Sequence, residues 1–107
     1  MANRRTLKKR KLYKKIDESE LWDLGLTICN FVLPRLEKFK DYTHSYPSNM
    51  SEKEWDDILN KMIWSFNYAR EYINCSIKDK EMLTEENKKK YNEGMDLFKK
   101  YLVDLWD

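Results

Sequence analysis

The sequence predicts an all-α protein, a small bundle of three main helices with a basic N-terminal arm. The chain of 107 residues contains only two glycines and two prolines, so it has few of the residues that form tight turns and strand corners. Apolar residues instead recur at three- and four-residue intervals over three long stretches, which is the pattern of amphipathic helices. We expect helices over about residues 18–40, 51–78 and 84–106.

The first helix begins between Asp17 and Ser19, where Asp17 and Glu20 have the spacing of a capping box. Pro34 cannot donate a backbone hydrogen bond, so we expect the helix to kink or break there. The apolar face of this helix is predicted to comprise Leu21, Leu24, Ile28, Phe31 and Val32, with Leu36 and Phe39 beyond the proline. We expect Phe31 and Phe39 to lie in the core.

The second helix has the clearest start signal in the sequence. Ser51 and Glu54 form a capping box, and Met50 and Trp55 stand on either side of it at the positions of a hydrophobic staple. Its apolar residues are Trp55, Ile58, Leu59, Met62, Ile63, Phe66, Ile73 and Ile77. Their regular helical spacing predicts that this helix forms the centre of the core.

The third helix is predicted to begin at Thr84, whose hydroxyl caps it, with Glu85 and Glu86 in the first turn. Its apolar residues are Tyr91, Met95, Phe98, Leu102 and Leu105. Gly94 weakens the helix locally but allows close packing. Trp106 lies almost at the end of the sequence, so we expect the C-terminal residues to dock on the bundle.

The charge is distributed unevenly along the chain. Residues 1–15 contain eight of the 21 basic residues and no acid, namely Arg4, Arg5, Lys8, Lys9, Arg10, Lys11, Lys14 and Lys15. The remaining 92 residues contain 13 basic and 19 acidic residues, a formal charge of −6. We therefore divide the chain into a basic arm, residues 1–16, and a helical domain, residues 17–107. We expect this arm to be flexible or to become ordered on a partner, and to act either as a solubilising tail or as an electrostatic anchor for nucleic acid.

The residues needed for most catalytic and metal sites are absent or scattered. The only histidine is His44, and Cys29 and Cys75 are isolated thiols inside helical patterns, which favours buried or interface positions in a reducing compartment. No glycine-rich phosphate loop or cluster of metal ligands is present. We expect no enzyme activity, no metal and no cofactor. The sequence also has no membrane span or signal peptide, so we expect a cytoplasmic protein.

Aromatic residues are abundant, at 14% of the chain. Trp64, Tyr68 and Tyr72 recur every four residues on the second helix, offset from its main apolar face. They form either a second packing or oligomer face, or a platform on which a nucleobase stacks. Both interpretations stay open from the sequence.

Three other positions join the predicted ligand site. Arg35, after the proline, either binds a phosphate or carboxylate in a bidentate manner or pairs on the surface with Glu37 or Asp41. Lys61 lies within the apolar register of the second helix. His44 and Tyr46 lie in the connecting loop, where binding residues are frequent. We predict that Arg35, Lys61, Trp64, Tyr68, His44 and Tyr46 bind the ligand.

Four blocks resemble a family of small tailed-phage (Caudoviricetes) accessory proteins. They are Trp22-Asp23, Leu33-Pro34-Arg35-Leu36, Tyr46-Pro47 and Ser51-Glu52-Lys53-Glu54-Trp55-Asp56, the last continuing into the core helix. The resemblance covers roughly residues 20–70, and Ser45 stands where the family pattern has glycine. That family has no assigned activity, so the resemblance implies no catalytic residues. It implies a phage accessory protein made in the bacterial host cytoplasm.

This setting leads to a functional prediction. We expect a non-enzymatic, oligomeric phage protein that antagonises host antiviral defence by sequestering a cyclic or other nucleotide signal. The alternative is a phage nucleic-acid-binding protein that acts through the basic arm. A further alternative is a direct inhibitor of a host protein.

Overall fold

The computed structural model describes residues 15–74 and 84–106. This part of the chain contains four helices, α1 (Ser19–Trp22), α2 (Leu24–Tyr42), α3 (Glu52–Ile73) and α4 (Glu85–Tyr101), followed by a 3₁₀ turn over Leu102–Asp104. No strand occurs in these residues, which confirms the all-α prediction. The predicted end of the second helix, between residues 75 and 78, lies outside the described residues.

The caps predicted from the sequence are found at the helix starts. The Ser51 hydroxyl accepts a hydrogen bond from the Glu54 amide at 3.1 Å. The Thr84 hydroxyl accepts one from the Asn87 amide at 3.3 Å. Each bond satisfies an amide that has no partner inside its own helix, which fixes where the helix begins.

The first predicted helix is divided at Asp23. The Glu20 carboxylate accepts from the Asp17 amide at 3.0 Å, as in a capping box, but α1 lasts only four residues. The backbone of Asp23 leaves the helical conformation, with φ −137° and ψ 74°, and its carboxylate caps α2 by accepting from the Leu26 amide at 3.4 Å. The chain therefore changes direction before α2, a step that the periodicity did not predict.

Helix α2 runs through Pro34 without a break, so of the kink or break expected there the break does not occur, and the kink stays a prediction. The carbonyl that loses its helical donor belongs to Asn30, which is exposed and therefore open to water. Nearby, the Arg35 guanidinium donates to the Phe31 carbonyl at 2.9 Å.

Helix α3 is the central element of the bundle, as predicted. Both α2 and α4 pack on α3, and Trp55, Leu59, Met62 and Phe66 of α3 are buried. Helix α2 contributes Cys29, Leu33 and Leu36 to the same core. Helix α4 adds Met95, Leu97 and Phe98 at its edge.

The buried face of α2 agrees only in part with the predicted one. Leu21 of α1 and Leu24, Ile28 and Phe31 of α2 are between 48% and 57% exposed. The helix buries Cys29 and Leu33 together with Leu36, which was predicted, and Val32 and Phe39 pack against the core as expected. Phe31 and Leu33 point about 160° apart around a helix, so both faces cannot meet α3. The prediction that Phe31 lies in the core is wrong, because the face that packs on α3 is the one that carries Leu33.

Gly94 allows α3 and α4 to approach closely. A Cβ atom at this position would overlap the Ser65 hydroxyl and the Lys61 carbonyl, and would lie 2.7 Å from the Ser65 Cβ. Ser65, which is fully buried, donates to the Tyr91 carbonyl at 3.1 Å. Close packing at Gly94 is thus confirmed, and it sets the level at which the two helices cross.

The end of the chain lies beside the loop between α2 and α3. Ser45, Tyr46 and Pro47 line a small cavity of about 100 Å³ with Asp104 and Trp106. Leu105 packs at the edge of the core, whereas Leu102, predicted to face the core, is 54% exposed. The α-helix ends at Tyr101, and the 3₁₀ turn that follows rotates Leu102 out of the apolar register.

Candidate ligand-binding site

Trp64 and Tyr68 form a stacked aromatic pair on α3. Their ring centroids are 4.7 Å apart and their planes differ by 13°. One helical turn separates the two residues, which places their side chains on the same face. Trp64 is half-buried and Tyr68 is buried, so the indole is the outer ring of the pair.

Two lysines lie next to this pair. The Lys90 ammonium of α4 lies over the Trp64 ring, 4.9 Å from its centroid, which is a cation–π contact. The Lys61 ammonium forms an ion pair with Glu93 of α4 at 2.7 Å, with both side chains about half exposed. Tyr68 also contacts Tyr91 across the helix interface, with ring centroids 6.5 Å apart. We call these residues, Lys61, Trp64, Tyr68, Lys90, Tyr91 and Glu93, the aromatic–lysine cluster.

The crossing of α3 and α4 builds this cluster. Because Gly94 has no side chain, α4 lies against Ser65 of α3. Lys90 and Tyr91, one turn earlier in α4, therefore lie at the level of Trp64 and Tyr68. The site depends on a glycine that contributes no chemistry of its own.

The ion pair alters the acidity of Glu93. The hydrogen bond from Lys61 and the positive charge of that ammonium hold the pKa of the Glu93 carboxyl below its ordinary value, and Lys89 adds to this effect. Glu93 therefore stays ionised at neutral pH and partly neutralises Lys61. An anionic ligand has to compete with this carboxylate for Lys61, whereas the Lys90 ammonium is held by the ring of Trp64.

Only three of the six predicted ligand residues meet in this cluster, namely Lys61, Trp64 and Tyr68. Arg35 lies on α2 and is engaged locally, because its guanidinium carbon is 3.7 Å from the centroid of the Phe31 ring and its Nη1 donates to the Phe31 carbonyl. The proline does not present Arg35 to a ligand beside Trp64. The two contacts with Phe31 hold the arginine on the outer face of α2.

His44 and Tyr46 belong to the loop at the other end of α3. Tyr46 lines the small cavity with Asp104 and Trp106. At the same end of the bundle, Trp55 near the start of α3 contacts Tyr101 of α4, with ring centroids 5.6 Å apart. Along α3 this end lies roughly 20 Å from Tyr68. The two loop residues are therefore separate from the aromatic–lysine cluster.

Sequence reasoning missed the contribution of α4. Lys90, Tyr91 and Glu93 complete the cluster, but Lys90 is one of three consecutive lysines, residues 88–90, and nothing in their pattern distinguishes it. Gly94 was the one usable signal, since a glycine inside an otherwise regular helix indicates a close helix contact. Aligning Gly94 with a small residue of α3, such as Ser65, would have brought Lys90 beside Trp64.

The remaining predicted site residues divide between described and undescribed parts of the chain. Lys15 is exposed, and the other seven basic residues of the arm lie outside the described residues, as does Cys75.

Cys29 is buried, as expected. Burial raises the pKa of its thiol; the negative charge of Asp23 adds to this rise, and the positive charge of Arg70 opposes it. Across residues 15–74 and 84–106, no group of three or more His, Cys, Asp or Glu side chains is placed to hold a metal ion.

Comparison with protein-family profiles, with curated proteins and with solved structures gives no match to this chain. In the described part of the chain, no helix is both long and apolar enough to cross a membrane.

Proposed function

We propose that this protein is a non-enzymatic binding protein that takes a nucleotide at the aromatic–lysine cluster. The observation that carries the proposal is the half-buried Trp64 indole, stacked on Tyr68 with the Lys90 ammonium over its ring. A nucleobase stacks on such a ring, and ammonium groups beside it attract phosphate. The resemblance of residues 20–70 to tailed-phage accessory proteins supports the accompanying proposal, that nucleotide sequestration antagonises host defence.

Ligand entry requires local rearrangement but no unfolding. The Lys90 side chain is long and its residue is exposed, so the ammonium can leave the indole and pair with a phosphate while a base takes its place. Lys61 can exchange its half-exposed partner Glu93 for a second phosphate in the same way, since a surface ion pair contributes little to stability. Tyr68, buried beneath, holds the indole in position.

Calorimetric titration of the full chain with cyclic di-AMP, cyclic AMP and ATP tests this function. We expect at least one of these probes to bind. Replacing Trp64 by alanine removes the stacking surface, which is worth about 1–3 kcal/mol per base, so Kd should rise by roughly 5- to 150-fold. Lys90→Gln removes an ammonium that attracts phosphate, so this variant alone should also raise Kd, and the effect should be largest at low salt.

The matched control is Tyr42→Ala. Tyr42 on α2 is exposed and also has a lysine over its ring, with the Lys38 ammonium 5.7 Å from the centroid, but it lies outside the cluster, so Kd should not change. The Tm of Trp64→Ala must be measured alongside, because Trp64 and Tyr68 also pack α3 against α4. If no probe binds, or if Tyr42→Ala and Trp64→Ala weaken binding equally, the proposed site is wrong.

A further inference from the structure

The small cavity between the α2–α3 loop and the C-terminal segment combines aromatic rings with a carboxylate. Its volume is about 100 Å³, and it is lined by Ser45, Tyr46, Pro47, Asp104 and Trp106. Among the described residues, no lysine or arginine lines it. The two rings are not part of the core, since Tyr46 is 48% and Trp106 is 70% exposed. Both rings are therefore accessible to a ligand.

A tight turn brings Asp104 and Trp106 to this cavity. The Trp106 amide donates to the Asp104 carbonyl at 2.9 Å, and Leu105 between them has φ −82° and ψ 68°. These values are those of an inverse γ-turn. Its central residue, Leu105, packs at the edge of the core. Because the turn is anchored at its centre, the residues on either side of Leu105 are held beside the loop.

Local hydrogen bonds also fix the loop side of the cavity. The Thr43 hydroxyl donates to the Ser45 carbonyl at 3.1 Å and accepts from the Ser45 amide at 3.3 Å. The Met50 amide donates to the Pro47 carbonyl at 3.2 Å, and Met50 packs against the core. Both walls are thus positioned by the folded chain before a ligand enters, which lowers the entropic cost of binding.

The charge and the rings of the cavity favour a cation. Asp104 is partly buried, and its carboxylate forms no ion pair with any of the described residues. A cavity of about 100 Å³ is only about 6 Å across, and aromatic rings attract cations within about 6 Å of the ring centroid. A cation inside the cavity therefore lies near Tyr46, Trp106 and the carboxylate together.

The size and lining of the cavity select the kind of cation. Pockets that enclose whole ligands measure about 300–1,000 Å³, so this cavity accepts only a head group. A bare ammonium has three N–H donors that need acceptors in place of water, whereas methyl groups need none and pack on apolar rings.

We propose that the cavity binds a methylated ammonium head group. Tyr46 and Trp106 contact its methyl groups, and Asp104 balances its charge. The inference is independent of nucleotide binding, because this end of the bundle lies roughly 20 Å along α3 from Tyr68 of the aromatic–lysine cluster.

Titration of the ¹⁵N-labelled full chain with choline, followed by NMR through the backbone amides of Ser45 and Tyr46, tests this site. We expect saturable binding with a Kd on the order of 1 mM, since only a head group is enclosed. Two further probes separate charge from shape. The carbon isostere of choline, with a tert-butyl group in place of trimethylammonium, lacks the charge, and ethanolamine lacks the methyl groups. Each should bind more weakly than choline.

Two substitutions in the cavity have matched controls outside it. Trp106→Ala removes one cation–π contact and should raise the Kd for choline by roughly 2- to 30-fold, and Asp104→Asn should also raise it. Trp22→Ala and Asp96→Asn should leave the Kd unchanged, because both residues are exposed and lie outside the cavity.

The source of the head group is distinguished by a peptide with one trimethyl-lysine. Tighter binding of this peptide than of choline identifies a protein side chain, and weaker binding identifies a small molecule. The proposal is overturned if neither probe saturates these amide shifts by about 50 mM, on the order of fifty times a millimolar Kd. It is also overturned if the neutral isostere or ethanolamine binds as tightly as choline, or if the control variants weaken binding as much as the cavity variants.

Discussion

Among single residues, Lys61 and Glu93 show how the structure sets a charge state. The two side chains come from different helices and meet at 2.7 Å, although each is about half exposed. The lowered pKa of Glu93 means that its carboxylate is more stable in the folded chain than in the unfolded one. The pair therefore stabilises the fold above the ordinary pKa of glutamate, and that contribution is lost as the pH falls through the lowered value.

Removing the Lys61 ammonium should return the pKa of Glu93 towards its ordinary value. In Lys61→Met we expect the pKa of Glu93 to rise, because the hydrogen bond and the positive charge that stabilise the carboxylate are gone. An NMR titration of the Glu93 side-chain carboxyl carbon measures this directly. Lys53→Met removes an exposed lysine from the first turn of α3 and should leave the pKa of Glu93 where it is. An unchanged pKa in Lys61→Met would mean that the ion pair does not persist in solution.

Between elements, the contact of α3 with α4 depends on Gly94. Ser65 donates to the Tyr91 carbonyl at 3.1 Å and lies where the side chain of any other residue at position 94 would have to go. The backbone carbonyl of Lys61 closes the same space and cannot move without shifting α3. This crossing places Lys90 over Trp64, so the packing of two helices decides the composition of the candidate site.

Gly94→Ala should destabilise the protein even though alanine favours helix. The gain in helix propensity is at most about 1 kcal/mol, whereas overpacking against Ser65 and the Lys61 carbonyl costs about 1–3 kcal/mol or more. We expect a net loss of free energy of unfolding in urea denaturation. Gly25→Ala is the matched control, because its Cβ would be in ordinary contact with Ile73 at 3.4 Å, and it should stabilise by about 0.5 kcal/mol. Equal effects at both glycines would contradict the close crossing.

Considering the whole molecule, α3 holds the bundle together because α2 and α4 both pack on it. Leu59 and Met62 are fully buried at its centre. Neither outer helix has an equivalent second neighbour among the described residues, and each leaves one side exposed. The stability of the domain should therefore be lowest at its edges and highest along α3.

Amide hydrogen exchange of the full chain tests this distribution. We expect the slowest exchange between Leu59 and Phe66, where the helix is enclosed on both sides, and the fastest within α1, which buries none of its residues. Protection factors read by NMR at a pH where an opened amide recloses faster than it exchanges give the comparison. Uniform protection of α2, α3 and α4 would show that α3 has no special role.

The sequence by itself determined where most of the helices begin and which helix is central. Hydrogen bonds at a cap are local, so Ser51 with Glu54 and Thr84 with Asn87 are readable from a few neighbouring residues. The regular apolar spacing from Trp55 to Phe66 likewise predicted a buried α3. The break at Asp23 was not predicted. There the backbone leaves the helical conformation, and the Asp23 carboxylate caps α2.

Only the tertiary structure decided which side chains meet. Helix α2 carries apolar residues on two faces, and periodicity cannot choose between them; packing on α3 selected Leu33 and left Phe31 outside. The predicted ligand residues also dispersed: Arg35 lies on the outer face of α2 beside Phe31, and Tyr46 lies with Asp104 and Trp106 near the C-terminal end of the described chain. Lys90 joined Trp64 because two helices cross at Gly94. Local hydrogen bonding fixes elements, whereas the assembly of a site depends on the packing of surfaces that are distant in the chain.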